Sequence, residues 1–181
     1  AGLYANRLYR NLGNGRFADV TAASGIRSDE WGIAAAWFDY DADGLLDLLV
    51  VNYGRIDLAK PRACGNPVRV YCNPKYYPPR PNQLYRNAGN GKFILTKALD
   101  AWPGRGMSVA ILDYDRDGKW DAFVTNDGLP NSLFRNLGAG NFEEVALVAG
   151  VALLDHGKPV ASMGVDVDGD TPVLWLLRDR I

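Results

Sequence analysis

The hydrophobic residues of this chain fall in short runs that Gly and Asp interrupt. Four runs stand out: Gly32-Ile-Ala-Ala-Ala-Trp-Phe38, Leu45-Leu-Asp-Leu-Leu-Val-Val51, Val109-Ala-Ile-Leu112 and Trp120-Asp-Ala-Phe-Val-Thr125. Runs of this length, rich in Val, Ile, Trp and Phe, predict buried β-strands. A second pattern occurs three times. Asn6-Arg-Leu-Tyr-Arg-Asn-Leu-Gly-Asn-Gly-Arg-Phe17 returns as Asn82-Gln-Leu-Tyr-Arg-Asn-Ala-Gly-Asn-Gly-Lys-Phe93 and as Asn131-Ser-Leu-Phe-Arg-Asn-Leu-Gly-Ala-Gly-Asn-Phe142. Each copy predicts a hairpin. Leu-Tyr-Arg-Asn is a short strand, the glycine-rich triplet reverses the chain, and Phe opens a returning strand such as Phe17-Ala-Asp-Val-Thr21. Asn-Gly at 14–15 and 90–91 supplies the positive φ angles of a primed turn.

Between the paired apolar runs lie two nine-residue acidic loops, Asp39-Tyr-Asp41-Ala-Asp43-Gly44-Leu-Leu-Asp47 and Asp113-Tyr-Asp115-Arg-Asp117-Gly118-Lys-Trp-Asp121. A unit near 49 residues, enlarged in its first copy by about 26, accounts for words starting at 6, 82 and 131 and loops starting at 39 and 113. One unit then reads strand, acidic loop, strand, connection, strand, glycine turn, strand. Four antiparallel strands of this kind make one propeller blade. The expected fold is all-β: a partial β-propeller of about three four-stranded blades with an incomplete ring, since closed propellers hold about four to eight. Residues 1–181 are expected to form one such unit, with a half blade at 3–21, a blade at 32–97 carrying an insertion at 53–81, a blade at 106–146 and a degraded blade at 160–177. The short count suggests a fragment, a truncated product, or completion by another chain.

Four carboxylates in nine residues repel each other; a like-charge pair at about 4 Å costs roughly 4 kcal/mol at an effective dielectric near 20. A hard cation that prefers oxygen turns this repulsion into attraction, which makes calcium the natural occupant. The side chains of Asp39, Asp41, Asp43 and Asp47, with the carbonyl of Leu45, are the expected ligands of one site. Asp113, Asp115, Asp117 and Asp121, with the carbonyl of Lys119, are those of the second. An EF-hand is excluded, because Val50 and Val124 stand where its twelfth-position Glu is needed, and strands rather than helices flank the loops. Gly44 and Gly118 permit the tight turn. The alternative is an Asp-Gly turn that holds no ion. A third acidic stretch, Asp166-Val-Asp168-Gly169-Asp170, has its Gly after the second Asp and Leu174 at position nine, so it is an eroded calcium loop or a plain acidic turn.

In combination, these words resemble FG-GAP or VCBS-type repeats, the blades of integrin α-like propellers, and the Asn-x-Leu-Tyr-Arg-Asn-x-Gly-x-Gly-x-Phe word is close to the cartilage acidic protein and UnbV group. The resemblance runs from Asn6 to about Asp170. It implies calcium bound in the loop between the first two strands of a blade, a role in extracellular binding or adhesion, and no catalytic centre within the repeats.

Charge narrows the partners. Twenty basic and twenty-one acidic residues give a net charge of −1, so bulk charge points to no nucleic acid or other polyanion. The insertion alone is basic, with Arg55, Lys60, Arg62, Arg69, Lys75 and Arg80 against Asp57. With Tyr71, Tyr76 and Tyr77 it is either a surface for a sugar or an acidic partner, or a solvated loop packed on its blade. The two cysteines, Cys64 and Cys72, lie within it, as a disulfide of an oxidising compartment or as a reduced pair. No apolar stretch reaches the roughly eighteen residues of a membrane span. Calcium loops of this type and a disulfide together suggest a secreted, periplasmic or cell-surface protein.

Catalytic signals are weak. The sole histidine, His156, lies in a turn-like segment, and Ser24, Ser108 and Ser162 sit in no nucleophile elbow. The Asp clusters that could serve glycoside hydrolysis are explained as cation ligands. The expectation is a non-enzymatic module for a protein or glycan ligand; the alternative is a non-catalytic scaffold of a larger exported hydrolase or lyase.

Overall fold

A computed structural model describes residues 5–27, 30–55, 57, 59–60, 62–154, 156–159 and 161–167, and the backbone strand at 174–178. The fold is all-β. A first hairpin, β1 (Tyr9–Gly13) and β2 (Arg16–Asp19), stands as a two-stranded sheet. Next come β3 (Gly32–Phe38) and β4 (Asp47–Asn52), a two-residue strand β5 (Arg80–Pro81), then β6 (Gln83–Asn87) and β7 (Phe93–Leu95). A second short strand, β8 (Pro103–Gly104), precedes β9 (Gly106–Leu112), β10 (Asp121–Asn126), β11 (Ser132–Gly138) and β12 (Asn141–Glu144), and the series ends with β13 (Ser162–Val167) and β14 (Leu174–Arg178).

Two complete blades result, ordered β3-β4-β6-β7 and β9-β10-β11-β12, and every pairing in them is antiparallel. The pairs β1-β2 and β13-β14 form half blades on either side. Among the described residues no closed barrel forms, and the arrangement is that of a partial propeller. The pair β5-β8 joins the insertion to the chain entering the next blade.

Strands β4 and β10 are buried at every position, which is why they read as continuous apolar runs rather than as alternating ones. Each blade is covered on both faces. From β4, Leu49 and Val51 pack with Phe38, Tyr40 and Leu84 against Ala122, Val124, Phe134 and Phe142 of the next blade. The alternate residues Leu48 and Val50 turn to the other face, with Ile26, Tyr85, Leu8 and Phe93. Across β10, Phe123 joins Leu112, Leu133, Val165 and Val167. Blades approach closely at Gly106, where a Cβ would lie 2.1 Å from Val51 Cγ1. Any larger residue there would push the sheets apart.

The reversals follow the residues. Asn14 and Gly15, Asn90 and Gly91, and Ala139 and Gly140 all have positive φ, as a type I′ turn demands. Ala139 holds this conformation without the help of Asn or Gly chemistry. One expectation is corrected: the returning strand from Phe17 stops at Asp19, and Thr21–Ser24 forms a single helical turn. Asp19 Oδ1 accepts the Thr21 N–H, and Gly25 closes the turn in the left-handed region.

The insertion after β4 is ordered by anchors at its base. Trp31 meets Tyr53 and Tyr77 edge to face, with Trp31 and Tyr53 centroids 4.9 Å apart, and the two tyrosine rings are tilted against each other. Tyr53 donates its hydroxyl to Asp127 of the next blade at 2.6 Å, and Arg105 Nε donates to the Tyr77 carbonyl. Arg80 pairs with the buried Glu30. Farther out, Cys64 and Cys72 are disulfide-bonded, which resolves the choice left open by the sequence.

Candidate metal centres

The two acidic loops occupy equivalent places, each bridging the first two strands of a blade. Phe38 faces Asp47 across the first hairpin and Leu112 faces Asp121 across the second. Their internal hydrogen bonds are the same. Asp39 accepts the N–H groups of Asp43 and Gly44, and Asp113 accepts those of Asp117 and Gly118. Asp43 Oδ1 accepts from the Leu45 N–H, and Asp117 Oδ1 from the Lys119 N–H. Ala42 and Arg116 adopt positive φ angles of 58° and 61°, with Gly44 and Gly118 following at 85° and 83°.

This folding gathers oxygens. Ligand atoms of Asp39, Asp41 and Asp43 lie within 4.8 Å of one another, and those of Asp113, Asp115 and Asp117 do the same. Asp41 Oδ1 and Asp115 Oδ1 are buried yet accept no hydrogen bond. A buried carboxylate oxygen without a donor is costly, and a cation would satisfy it. Three or more hard oxygens, one of them orphaned, fit a calcium ion by their chemistry.

Asp47 and Asp121 stand at the base of the loops, outside the converging triplets and fully buried. Each ties two strands and the loop together. Asp47 accepts the N–H of Tyr40 at 3.0 Å and of Asn87 at 2.7 Å; Asp121 accepts those of Tyr114 at 2.9 Å and Asn136 at 2.8 Å. Burial pushes both carboxyls above the ordinary range, opposed by these backbone donors. Burial, with the nearby Asp41 next in weight, also lifts the Tyr40 phenol to about 12.

Two asparagines missed by the sequence reading complete the clamp. Asn87 Nδ2 donates to the Leu46 carbonyl at 2.8 Å, and Asn136 Nδ2 donates to the carbonyls of Trp120 at 3.2 Å and Tyr40 at 2.7 Å. The last bond reaches the acidic loop of the preceding blade. Both residues are the Asn of the Arg-Asn-x-Gly word, so its recurrence beside the acidic loop was the available signal.

The loops differ in charge balance. In the second, Arg135 pairs with Asp115 at 2.7 Å and Lys119 with Asp117 at 2.6 Å, and the Lys119 bond holds Asp117 below the usual carboxylate range. In the first loop Leu45 takes the place of Lys119, and Asp39, Asp41 and Asp43 form no ion pair among the described residues. Of the third acidic stretch, Asp166 is in β13 and accepts the N–H of Val167; Asp168 and Asp170 lie outside the described residues.

Successive four-stranded blades with an acidic loop at the first hairpin of each define a propeller-type repeat protein. The profile of the FG-GAP-like repeat matches residues 2–50 and 70–124, and the chain belongs to that family. It is also similar to cartilage acidic protein 1 of Mus musculus and of Homo sapiens, at 26% identity over 174 residues in each case. The match covers 91% of this chain and 23% of each relative's length. No helix among the described residues is long and apolar enough to cross a membrane.

Proposed function

We propose that this chain is a calcium-stabilised propeller module that binds a protein or carbohydrate outside the cell and performs no catalysis itself. The observation that carries this reading is the pair of matching carboxylate triplets, each with an orphaned buried oxygen. Asp39, Asp41 and Asp43 would hold one ion and Asp113, Asp115 and Asp117 the other, with the Leu45 and Lys119 carbonyls and Asp47 and Asp121 as further candidate ligands. When bound, calcium supplies positive charge that cancels the carboxylate repulsion.

The chain's own residues do the rest. Asp47 and Asp121 fasten each loop to its blade, Asn87 and Asn136 fix the loop carbonyls, and the Asn136–Tyr40 bond couples one rim loop to the next blade. A rim held this way presents a rigid face to a partner. Export is supported by the disulfide and by the family, whose repeats are typically extracellular.

Affinity is expected on the order of 10⁻⁴ to 10⁻³ M, the range of extracellular calcium modules. Titration calorimetry of chelator-treated protein tests this: two ions per chain are expected, and none after Asp43→Ala and Asp117→Ala together. An absence of uptake by the unaltered chain rejects the reading.

A further inference from the structure

The insertion leaves β4 at Asn52, the end of that strand remote from the acidic loop, so it lies on the opposite rim of the blade. Its charges are not self-compensated. Arg80 is spent on Glu30. The remaining cations, Arg55, Lys60, Arg62, Arg69 and Lys75, have no carboxylate within ion-pairing distance among the described residues. The insertion's own acid, Asp57, accepts the Ala59 N–H.

Four of these cations, all but Arg69, are also gathered rather than dispersed. Arg55, Lys60 and Arg62 line a pocket of about 250 Å³ with Asp57, Tyr76 and Tyr77. The Arg62 guanidinium lies 4.6 Å from the Tyr76 ring centre and Lys75 Nζ lies 5.4 Å from it, so two like charges share one aromatic ring. An anion bound between them would offset their mutual repulsion. The disulfide braces the spot: Cys72 Sγ touches the Arg62 carbonyl at 3.7 Å, and its neighbour Tyr71 is fully exposed.

We propose that this face binds an anionic polysaccharide, a proposal that rests on the binding-module reading and names its ligand class. Sulfate or carboxylate groups are taken by Arg55, Lys60, Arg62 and Lys75, with Arg62 able to offer a two-pronged hydrogen bond. The exposed rings of Tyr71 and Tyr76 offer flat apolar faces to the sugars. A peptide partner fits less well, because the described residues that line the pocket are charged or aromatic apart from Pro78 and give an apolar anchor little to hold. A nucleic acid fits less well too, since the pocket gathers its basic residues into one cluster instead of a stripe that could follow a phosphate backbone.

The test uses the full chain in calcium buffer, immobilised and exposed to heparin, neutral dextran, poly-glutamate and a single-stranded DNA oligonucleotide at two salt concentrations. Heparin is expected to bind in a salt-sensitive manner and dextran not at all. R62E/K75E is expected to weaken heparin at least tenfold, with unchanged melting temperature and calcium uptake; Lys60→Ala, a milder change, is expected to weaken it severalfold. Equal or tighter binding of poly-glutamate or DNA overturns the glycan assignment, as does heparin binding that ignores both variants. If heparin fails to bind while calcium uptake stays at two ions, this proposal falls and the calcium-module reading stands.

Discussion

Replacing Asp121 by Ala in chelator separates its fastening role from any metal role. The carboxylate is fully buried and accepts two backbone N–H groups, from Tyr114 at 2.9 Å and Asn136 at 2.8 Å. Alanine leaves both donors without a partner in the core. At about 1–3 kcal/mol for each orphaned buried group, the loss is roughly 2–6 kcal/mol. The charge relieved on removing a buried carboxylate offsets part of this, so the lower half of the range is expected. Asp121→Asn keeps one acceptor, sets its amide N–H₂ against the other backbone N–H and removes the charge; with one donor orphaned it is expected to cost about 1–3 kcal/mol by the same reasoning. Urea unfolding with EDTA present reads both numbers, and Asp43→Ala serves as the control at a triplet position. If Asp121→Ala proves neutral in EDTA and harmful only with calcium, Asp121 works solely through the ion and the fastening argument is wrong.

Removing the cations of the second loop, by Arg135→Gln with Lys119→Leu, should tighten its calcium binding; two half-exposed ion pairs at about 0.2–1 kcal/mol each give roughly a two- to thirtyfold gain by calorimetry. An unchanged affinity would mean that these pairs break freely. Asp47 and Asp121 have folded-state pKa values raised by burial, so the native state holds their protons more tightly than the unfolded chain does. Their contribution to stability in EDTA should therefore fall as pH rises through the folded-state values and return on acidification toward about pH 4, against the opposite pull of Asp117, whose carboxyl is held low. With calcium present the trend should reverse, which thermal melts across pH would reveal. Tyr53→Phe removes the bond to Asp127 and should cost about 1–2 kcal/mol, most of it from the carboxylate left without its donor. Reducing the Cys64–Cys72 bond should free the outer insertion, seen as faster amide exchange there, while β3-β4-β6-β7 and its neighbour keep their protection.

Much of the fold was legible because each blade repeats its local instructions. Asn-Gly pairs need positive φ and mark the hairpins, and uninterrupted apolar runs such as Leu48–Val51 mark strands covered on both faces. The three-carboxylate centres were legible for the same reason, since their spacing is entirely local. What was not legible depends on contacts distant in sequence. The bond from Asn136 to the Tyr40 carbonyl spans 96 residues; the recurring Arg-Asn-x-Gly word marks Asn136 as repeated, but not which carbonyl it reaches. Asp47 and Asp121 read as ligands by position, whereas their backbone partners emerge only when β6 and β11 pair beside them. The helical turn at Thr21–Ser24 was hidden because four residues are too short a run for the helix preference of Ala22 and Ala23 to show as a pattern.

The most direct check on the calcium account is a crystal structure of the full chain grown with millimolar calcium, with anomalous scattering measured at long wavelength. Two peaks are predicted, one within about 2.3–2.6 Å of oxygens from Asp39, Asp41 and Asp43 and one equally placed among Asp113, Asp115 and Asp117. Carboxylates splayed into solvent, with no anomalous peak at either loop, would contradict it.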